Sequence, residues 1–232
     1  TIDFQEGLNG YVLQDRIPPI TVEDLELKAG QQPDKKALED VIFGFNVADA
    51  KHSNAVVYCM PTETGVMAIG IGGGEGDRIE ASYSAMERAL TFLLRTYLEM
   101  PMAEIPDRIP VKLYCASDAF FPDVKALQAT HPGEMMTAFS RIIGFPKPYQ
   151  IPSEKVMDLA DNDGLGIRNK MGRIVSHLDI SVPLVLNPGG AKGEQRVLDY
   201  CADRGMSVVA PYRDGRAVRC FKHGPQSTFL VR

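Results

Sequence analysis

Four polar residues, Lys51, His52, Ser53 and Asn54, stand immediately before the apolar run Ala55-Val56-Val57-Tyr58. An amine, an imidazole, a hydroxyl and an amide at the mouth of a buried strand can carry group-transfer chemistry. His52 is the natural acid/base, because an unperturbed imidazole titrates near neutrality. Lys51 can stabilise a developing oxyanion or tune the imidazole. Asn54 can hold a carboxamide or a carbonyl oxygen. The plainer reading of the same residues is a solvated turn that precedes a strand.

Four further segments carry chemistry. In "IGIGGGEGDRIEAS", Gly70, Gly72, Gly73, Gly74 and Gly76 lead through Asp77 to Arg78 and Ile79 at the start of a helical pattern. Glycines before a helix N-terminus let backbone N–H groups approach an anion, and Arg78 adds a bidentate partner for phosphate. The alternative is a glycine-rich connection; the stretch has neither the ending of a P-loop nor the spacing of a dinucleotide fingerprint. In "CASDAFFPD", Asp118, Phe120, Phe121 and Pro122 follow a predicted strand. Strand carboxyl ends bind ligands in open α/β sheets, and aromatic faces suit a flat heterocycle, although paired aromatics are also ordinary core. "LNPGGAKGE" offers Gly189 and Gly190 as a loop-to-helix anion seat. In "GRAVRCFKH", period two puts Arg219, Phe221 and His223 on one face, where an Arg also serves as a solvated edge charge.

The elements that must position these groups are legible from periodicity. "PDKKALEDVIFGFNVADA" places Leu38, Val41, Ile42, Phe45 and Val47 at helical spacing, with Pro33 and Asp34 as start signals. "NAVVYCM" and "VMAIGIGGG" form a hairpin around "PTETG". "IEASYSAMERALTFLLRTYLEM" is a helix with Ala81, Ala85, Ala89, Phe92 and Leu93 on one face, ended by Pro101. "VKLYCAS" is a buried strand. "VPLVLNPGG" is a strand and loop, "GEQRVLDYCADRG" a helix capped by Gly205, and "MSVVAPYRDGRAVRCFKHG" a strand, a turn and a closing strand. This alternation predicts one layered α/β/α domain over residues 1–232. Residues 1–33 read as a leading arm rich in turn formers, and 130–180 as an insertion or lid.

Composition bounds the function. The chain has 232 residues, of which 44% are hydrophobic, enough for a sizeable core. A net charge of −5 argues against a general nucleic-acid binder but leaves room for a local Arg cluster on an anionic small molecule. Cys59, Cys115, Cys201 and Cys220 are widely spaced in apolar surroundings, so buried free thiols are expected rather than disulfides or a metal site. Neither a run of about 18 apolar residues nor a signal-peptide layout is present, which points to a cytoplasmic protein with no membrane contact.

Read together and in order, these segments resemble the transformylase domain of the bifunctional purine-biosynthesis family that formylates AICAR and cyclises the product to IMP. "GYVLQDR" resembles the stretch before that family's second half-domain. "PDKKALEDVIFGFNVADAKHSNAVVY" resembles a helix and strand joined by a Ser-Asn pair, "IGIGGGEGDRIEAS" the family's glycine turn, "SDAFFP" its hexapeptide, and "PGG" with "RCFKH" its closing loop and ending. The matched segments cover about 60% of the chain.

The resemblance implies a cytidine-deaminase-like α/β fold without the deaminase zinc site, and AICAR and N10-formyltetrahydrofolate as substrates. It implies that Asn54 positions substrate, that Arg78 follows the glycine turn, and that Ile79 is an apolar folate contact. It further implies that Phe120 and Pro122 contact AICAR and folate, and that Arg219 serves near the C-terminus. Departures are Asp77 in place of Ser, Glu75 in place of Gln and Asp123 in place of Phe. The cyclohydrolase domain and the first half-domain, which carries the family's Lys-His pair, have no counterpart here. A homodimer or larger oligomer and a separate cyclohydrolase protein are therefore the expected partners. Here Lys51-His52 and Ser53-Asn54 are fused in one stretch, so a self-associating half-domain could present both sets of groups. The alternatives are a non-catalytic AICAR-binding or partner subunit and a different enzyme on the same scaffold.

Overall fold

The computed structural model describes residues 2–7, 10–15, 19–51, 55–73, 78–117, 165–186, 195–213, 216–217 and 228–231. Its centre is a mixed sheet. In chain order the strands are β3 (Leu25–Ala29), β4 (Val56–Thr62), β5 (Gly65–Gly72), β6 (Ile109–Ser117), β7 (Leu178–Leu186) and β8 (Ser207–Arg213). Across the sheet the order is β3-β8-β7-β6-β4-β5, and the short β9 (Arg216–Ala217) pairs with the end of β8. β6, β7 and β8 are parallel, β4 is antiparallel to β6, and β5 is antiparallel to β4. The carboxyl ends of β5 to β8 therefore share one end of the sheet with the beginning of β4.

Alternation along the central strands sorts side chains to two faces. α1 (Lys35–Ala50) covers one face. Its Leu38, Val41, Ile42, Phe45 and Ala48 pack with Val57, Cys59, Tyr114, Ala116, Leu184 and Val209. α2 (Arg78–Leu98), α3 (Leu165–His177) and α4 (Gln195–Asp203) contribute to the other. There Ala85, Ala89, Leu93, Met171, Ile174 and Cys201 pack with Val56, Tyr58, Leu113, Cys115, Val185 and Val208. The result is the layered α/β/α arrangement that the alternation predicts.

Local chemistry explains the boundaries. The Asp34 carboxylate accepts the Ala37 N–H at 2.7 Å and starts α1. Gly205, at φ 67°, ends α4: Met206 N–H bonds to Cys201 C=O and Gly205 N–H to Ala202 C=O. Pro183 lies inside a central strand, where a missing N–H should break the ladder. Between the pairs Lys112↔Ser181 and Tyr114↔Leu184, β7 carries one residue more than β6, so Pro183 falls in a bulge.

Two stretches differ from their expected character. Residues 1–33, expected as an arm, contain β1 (Ile2–Gly7), β2 (Gly10–Asp15) and β3. β2 pairs with β1 on one side and with β10 (Thr228–Val231) on the other, making a separate three-stranded antiparallel sheet. The abundant turn formers hid the β1–β2 hairpin, and β2 and β3 find their other partners, β10 and β8, far away in sequence. Of the stretch 130–180, residues up to 164 lie outside the described part. From Leu165 it is α3 and the start of β7, and Met171 and Ile174 are fully buried. That portion is core, not lid.

Candidate functional site

The site is built where strands end. Val56 of β4 pairs with Gly72 of β5 and with Ser117 of β6, while Ala116 of β6 pairs with Leu186 of β7. Four of the five chemistry-bearing segments are flanked by described residues on this rim: Lys51 and Ala55, Gly73 and Arg78, Ser117, and Leu186. His52, Asn54, Asp118, Phe120, Phe121, Pro122, Gly189, Gly190 and Arg219 themselves lie outside the described residues, as do Ser53, Gly74, Gly76, Asp77, His223 and Cys220.

Lys51 is the helix C-cap of α1. Its N–H reaches Val47 C=O at 3.3 Å and Ala48 C=O at 3.1 Å, and its backbone is already extended. Its side chain is exposed, and no described residue forms an ion pair with it. A β-carbon built on Gly73 would lie 3.2 Å from Ala55 Cβ and 3.4 Å from Lys51 Cβ. Lys51 thus stands directly against the end of the glycine turn, bringing together two motifs that lie over twenty residues apart in sequence. An ammonium here can meet negative charge held at the rim.

The glycines divide into two roles. Gly70 and Gly72 lie inside β5, and their α-carbons touch α2. A β-carbon on Gly72 would fall 1.8 Å from Ala81 C=O, and one on Gly70 2.2 Å from Ala85 C=O. Ala81, Ala85 and Ala89 are fully buried on the matching helix face. These two glycines therefore admit the helix rather than an anion, as the connection reading had it. Their effect on the site is to seat the first turn of α2, which begins at Arg78, on the rim. The Arg78 and Ile79 backbone is helical.

Ser117 was not singled out from the sequence. Its side chain is 2% exposed, at the end of β6, paired across to Val56. In the sequence it is the last residue of the strand "VKLYCAS" and the first of "SDAFFP".

The described thiols are unsuited to chemistry. Cys59, Cys115 and Cys201 are buried and form no disulfide. Burial pushes the Cys59 and Cys201 thiols up to about 12, with the Asp40 carboxylate a smaller cause at Cys59, and raises Cys115 further still. Outside the rim, the Arg213 guanidinium holds the Asp24 carboxyl well below the usual carboxylate range. Among the described residues, no helix is long and apolar enough to cross a membrane.

Residues 1–88 match the family model described as the AICARFT/IMPCHase bienzyme. The matched region includes Lys51, Gly73 and Arg78. The chain is 35% identical over 82 residues to the bifunctional purine biosynthesis protein PurH of Buchnera aphidicola subsp. Schizaphis graminum (strain Sg), covering 35% of this chain and 15% of that protein. It is 31% identical over 129 residues to the bifunctional purine biosynthesis protein PurH of Jannaschia sp. (strain CCS1), covering 55% of this chain and 22% of that protein. The matched stretches therefore span about a fifth or less of these curated relatives.

Proposed function

We propose that the chain is an AICAR formyltransferase-like protein of purine nucleotide synthesis, acting on AICAR with N10-formyltetrahydrofolate as formyl donor and second substrate. The observation that carries this reading is the contact of Lys51 with Gly73, within the region that matches the bienzyme family. It is supported by the ordered resemblance of "SDAFFP", "PGG" and "RCFKH" to transformylase segments, the first two of which adjoin the rim. The resemblance also carries a cytidine-deaminase-like scaffold.

In this reading the AICAR amine attacks the formyl carbon, the bond from that carbon to the folate nitrogen breaks, and one proton passes from the amine to the leaving nitrogen. His52 moves the proton. Lys51 stabilises the formyl oxygen as charge develops. Asn54 holds the carboxamide. Arg78 and Arg219 take the AICAR phosphate and the folate glutamate, with Gly189 and Gly190 as a second anion seat. Ile79, Phe120, Phe121 and Pro122 hold the flat rings, and Asp118 offers an acceptor at their edge. The test is formylation by the purified chain, followed with both substrates, beside cyclisation of FAICAR. Formylation supports the reading. Cyclisation without formylation assigns the chain to the other half of the family's chemistry.

The alternative reading is a non-catalytic AICAR-binding or partner subunit on the same scaffold. AICAR binding without turnover would support it. In either reading Arg78→Ala should weaken AICAR by about 1–3 kcal/mol, the range for a lost charged hydrogen bond. Unchanged affinity by calorimetry would remove Arg78 from the site.

A further inference from the structure

α2 carries a charge pattern that the rim does not use. One arrangement occurs twice in its sequence: Glu80, Ser84, Arg88, and then Glu87, Thr91, Arg95. In each set an acid and a base flank a small hydroxyl residue at steps of four. Such steps keep a set on one helix face, and the offset of about two turns between the sets puts both on the same face. Ala85, Ala89 and Leu93 fill the core-facing side. Acid and base within a set stand about 12 Å apart along the axis, too far to neutralise each other in one helix.

Ser84, Glu87, Arg88, Thr91, Phe92 and Arg95 line an open groove on the outer side of α2. Glu87, Arg88 and Arg95 are exposed, and Ser84, Thr91 and Phe92 are half-buried. The Arg88 guanidinium donates to Ile71 C=O near the end of β5, which holds it along the helix. Neither Arg88 nor Arg95 is ion-paired to a described residue.

This face is complementary to itself. A second α2 laid antiparallel, with the two-fold axis between Glu87 and Arg88, sets Glu87 against Arg88 of the second copy and Ser84 against its Thr91. The position of Glu80 then lies opposite that of Arg95, and the symmetry repeats each pairing. Small hydroxyl residues between the charges let the helix axes approach to about 8–10 Å, and Phe92 adds apolar contact beside them. A parallel second helix in register would instead set like charges on each other.

We propose that the outer face of α2 is a self-association surface whose occupant is a second copy of this chain, docked antiparallel through Glu87–Arg88 and Ser84–Thr91 contacts. The proposal does not rest on the reaction assigned above. Sedimentation equilibrium of the full chain tests it on wild type, on an acidic variant (Arg88→Glu with Arg95→Glu), on a basic variant (Glu80→Arg with Glu87→Arg), and on the two variants mixed in equal amounts. Wild type should dimerise, less so at high salt. Each variant alone should dissociate about a hundredfold more readily or more, because like charges then meet. The mixture should regain the dimer, since every reversed charge finds an opposite one. A wild type that stays monomeric, variants as dimeric as wild type, or a mixture that does not reassociate would each overturn the surface. Should either variant fail to fold, the double variant Ser84→Cys with Thr91→Cys decides. On oxidation it should become a covalent dimer, whereas Thr91→Cys alone should not, and a double variant that stays uncrosslinked would overturn the docking.

Discussion

Lys51 is where residue-level reasoning can be tested hardest, because one residue caps α1 through its backbone N–H and borders the glycine turn. If it acts with His52 as one unit, His52→Ala should cut kcat by roughly 10²–10⁴, the usual worth of a positioned proton-transfer group. AICAR affinity should change little, and Lys51→Ala should lower kcat without adding to the loss in the double variant. Asn54→Ala should weaken binding as well as turnover. Full activity in His52→Ala beside its loss in Asn54→Ala would reduce Lys51-His52 to a turn and make His223 the next candidate. Asp24 gives a separate prediction. Arg213 depresses its pKa, so the folded state holds the carboxylate more tightly ionised than the unfolded chain does. The stability it contributes is therefore present above the ordinary carboxylate range and is lost as the pH falls through and below that range. Unfolding free energies from urea titration of wild type and Asp24→Asn should differ by about 1–3 kcal/mol at neutral pH. The gap should begin to narrow below about pH 4 and shrink further as the pH falls; a constant gap across pH would show that the charge is not what Arg213 reads. The polar run at Lys51 was legible as a break before a strand because its residues adjoin in sequence, but its approach to Gly73 was not. Ser117 and the Asp24–Arg213 pair were not, since a partner 189 residues away leaves no trace in spacing.

At the scale of elements, the seam between β5 and α2 decides where the rim stands. Gly72 has no room for a methyl group, because the obstacle is the Ala81 carbonyl of the helix backbone rather than a flexible side-chain tip. Gly72→Ala should destabilise by about 1–3 kcal/mol or more, the range for overpacking, and should displace the first turn of α2. Gly65→Ala, at a position with nothing within 4 Å, should stay within about 0.5 kcal/mol of wild type. Equal effects in thermal unfolding would mean that the seam yields easily. The helices and the hairpin were legible because each carries its own period, as in Leu38-Val41-Ile42-Phe45 and in Ala81-Ala85-Ala89. What escaped was the second use of the glycines. "IGIGGG" reads as the end of a strand and an anion seat before a helix, yet only Gly73 onward leaves the strand, and Gly70 and Gly72 are explained by the alanines of α2 packed on them. The short strands of the first 33 residues escaped for the same reason, since β10 completes their sheet from the far end of the chain.

At the scale of the whole molecule, the question is whether one chain holds a complete reaction centre. Among the described residues the rim holds Lys51 at the α1 end, Gly73 and the start of α2, all on the layered domain. Transfer between two substrates needs two anchored ligands and an acid/base between them, and the resembling family divides those tasks between two half-domains. Residues 1–88, which match the bienzyme model, carry the described part of one such rim at Lys51, Gly73 and the start of α2. A two-fold pair of chains would supply a second by symmetry, since an isologous interface repeats every group. The prediction is that the active form is a dimer or larger and that specific activity falls on dilution through its dissociation constant. Sedimentation equilibrium across that concentration range, run beside the formylation assay, reads both quantities. A chain that sediments as a monomer and keeps its turnover per molecule unchanged on dilution would show that Lys51, His52 and Arg78 suffice on one rim, and the shared cleft would have to be abandoned.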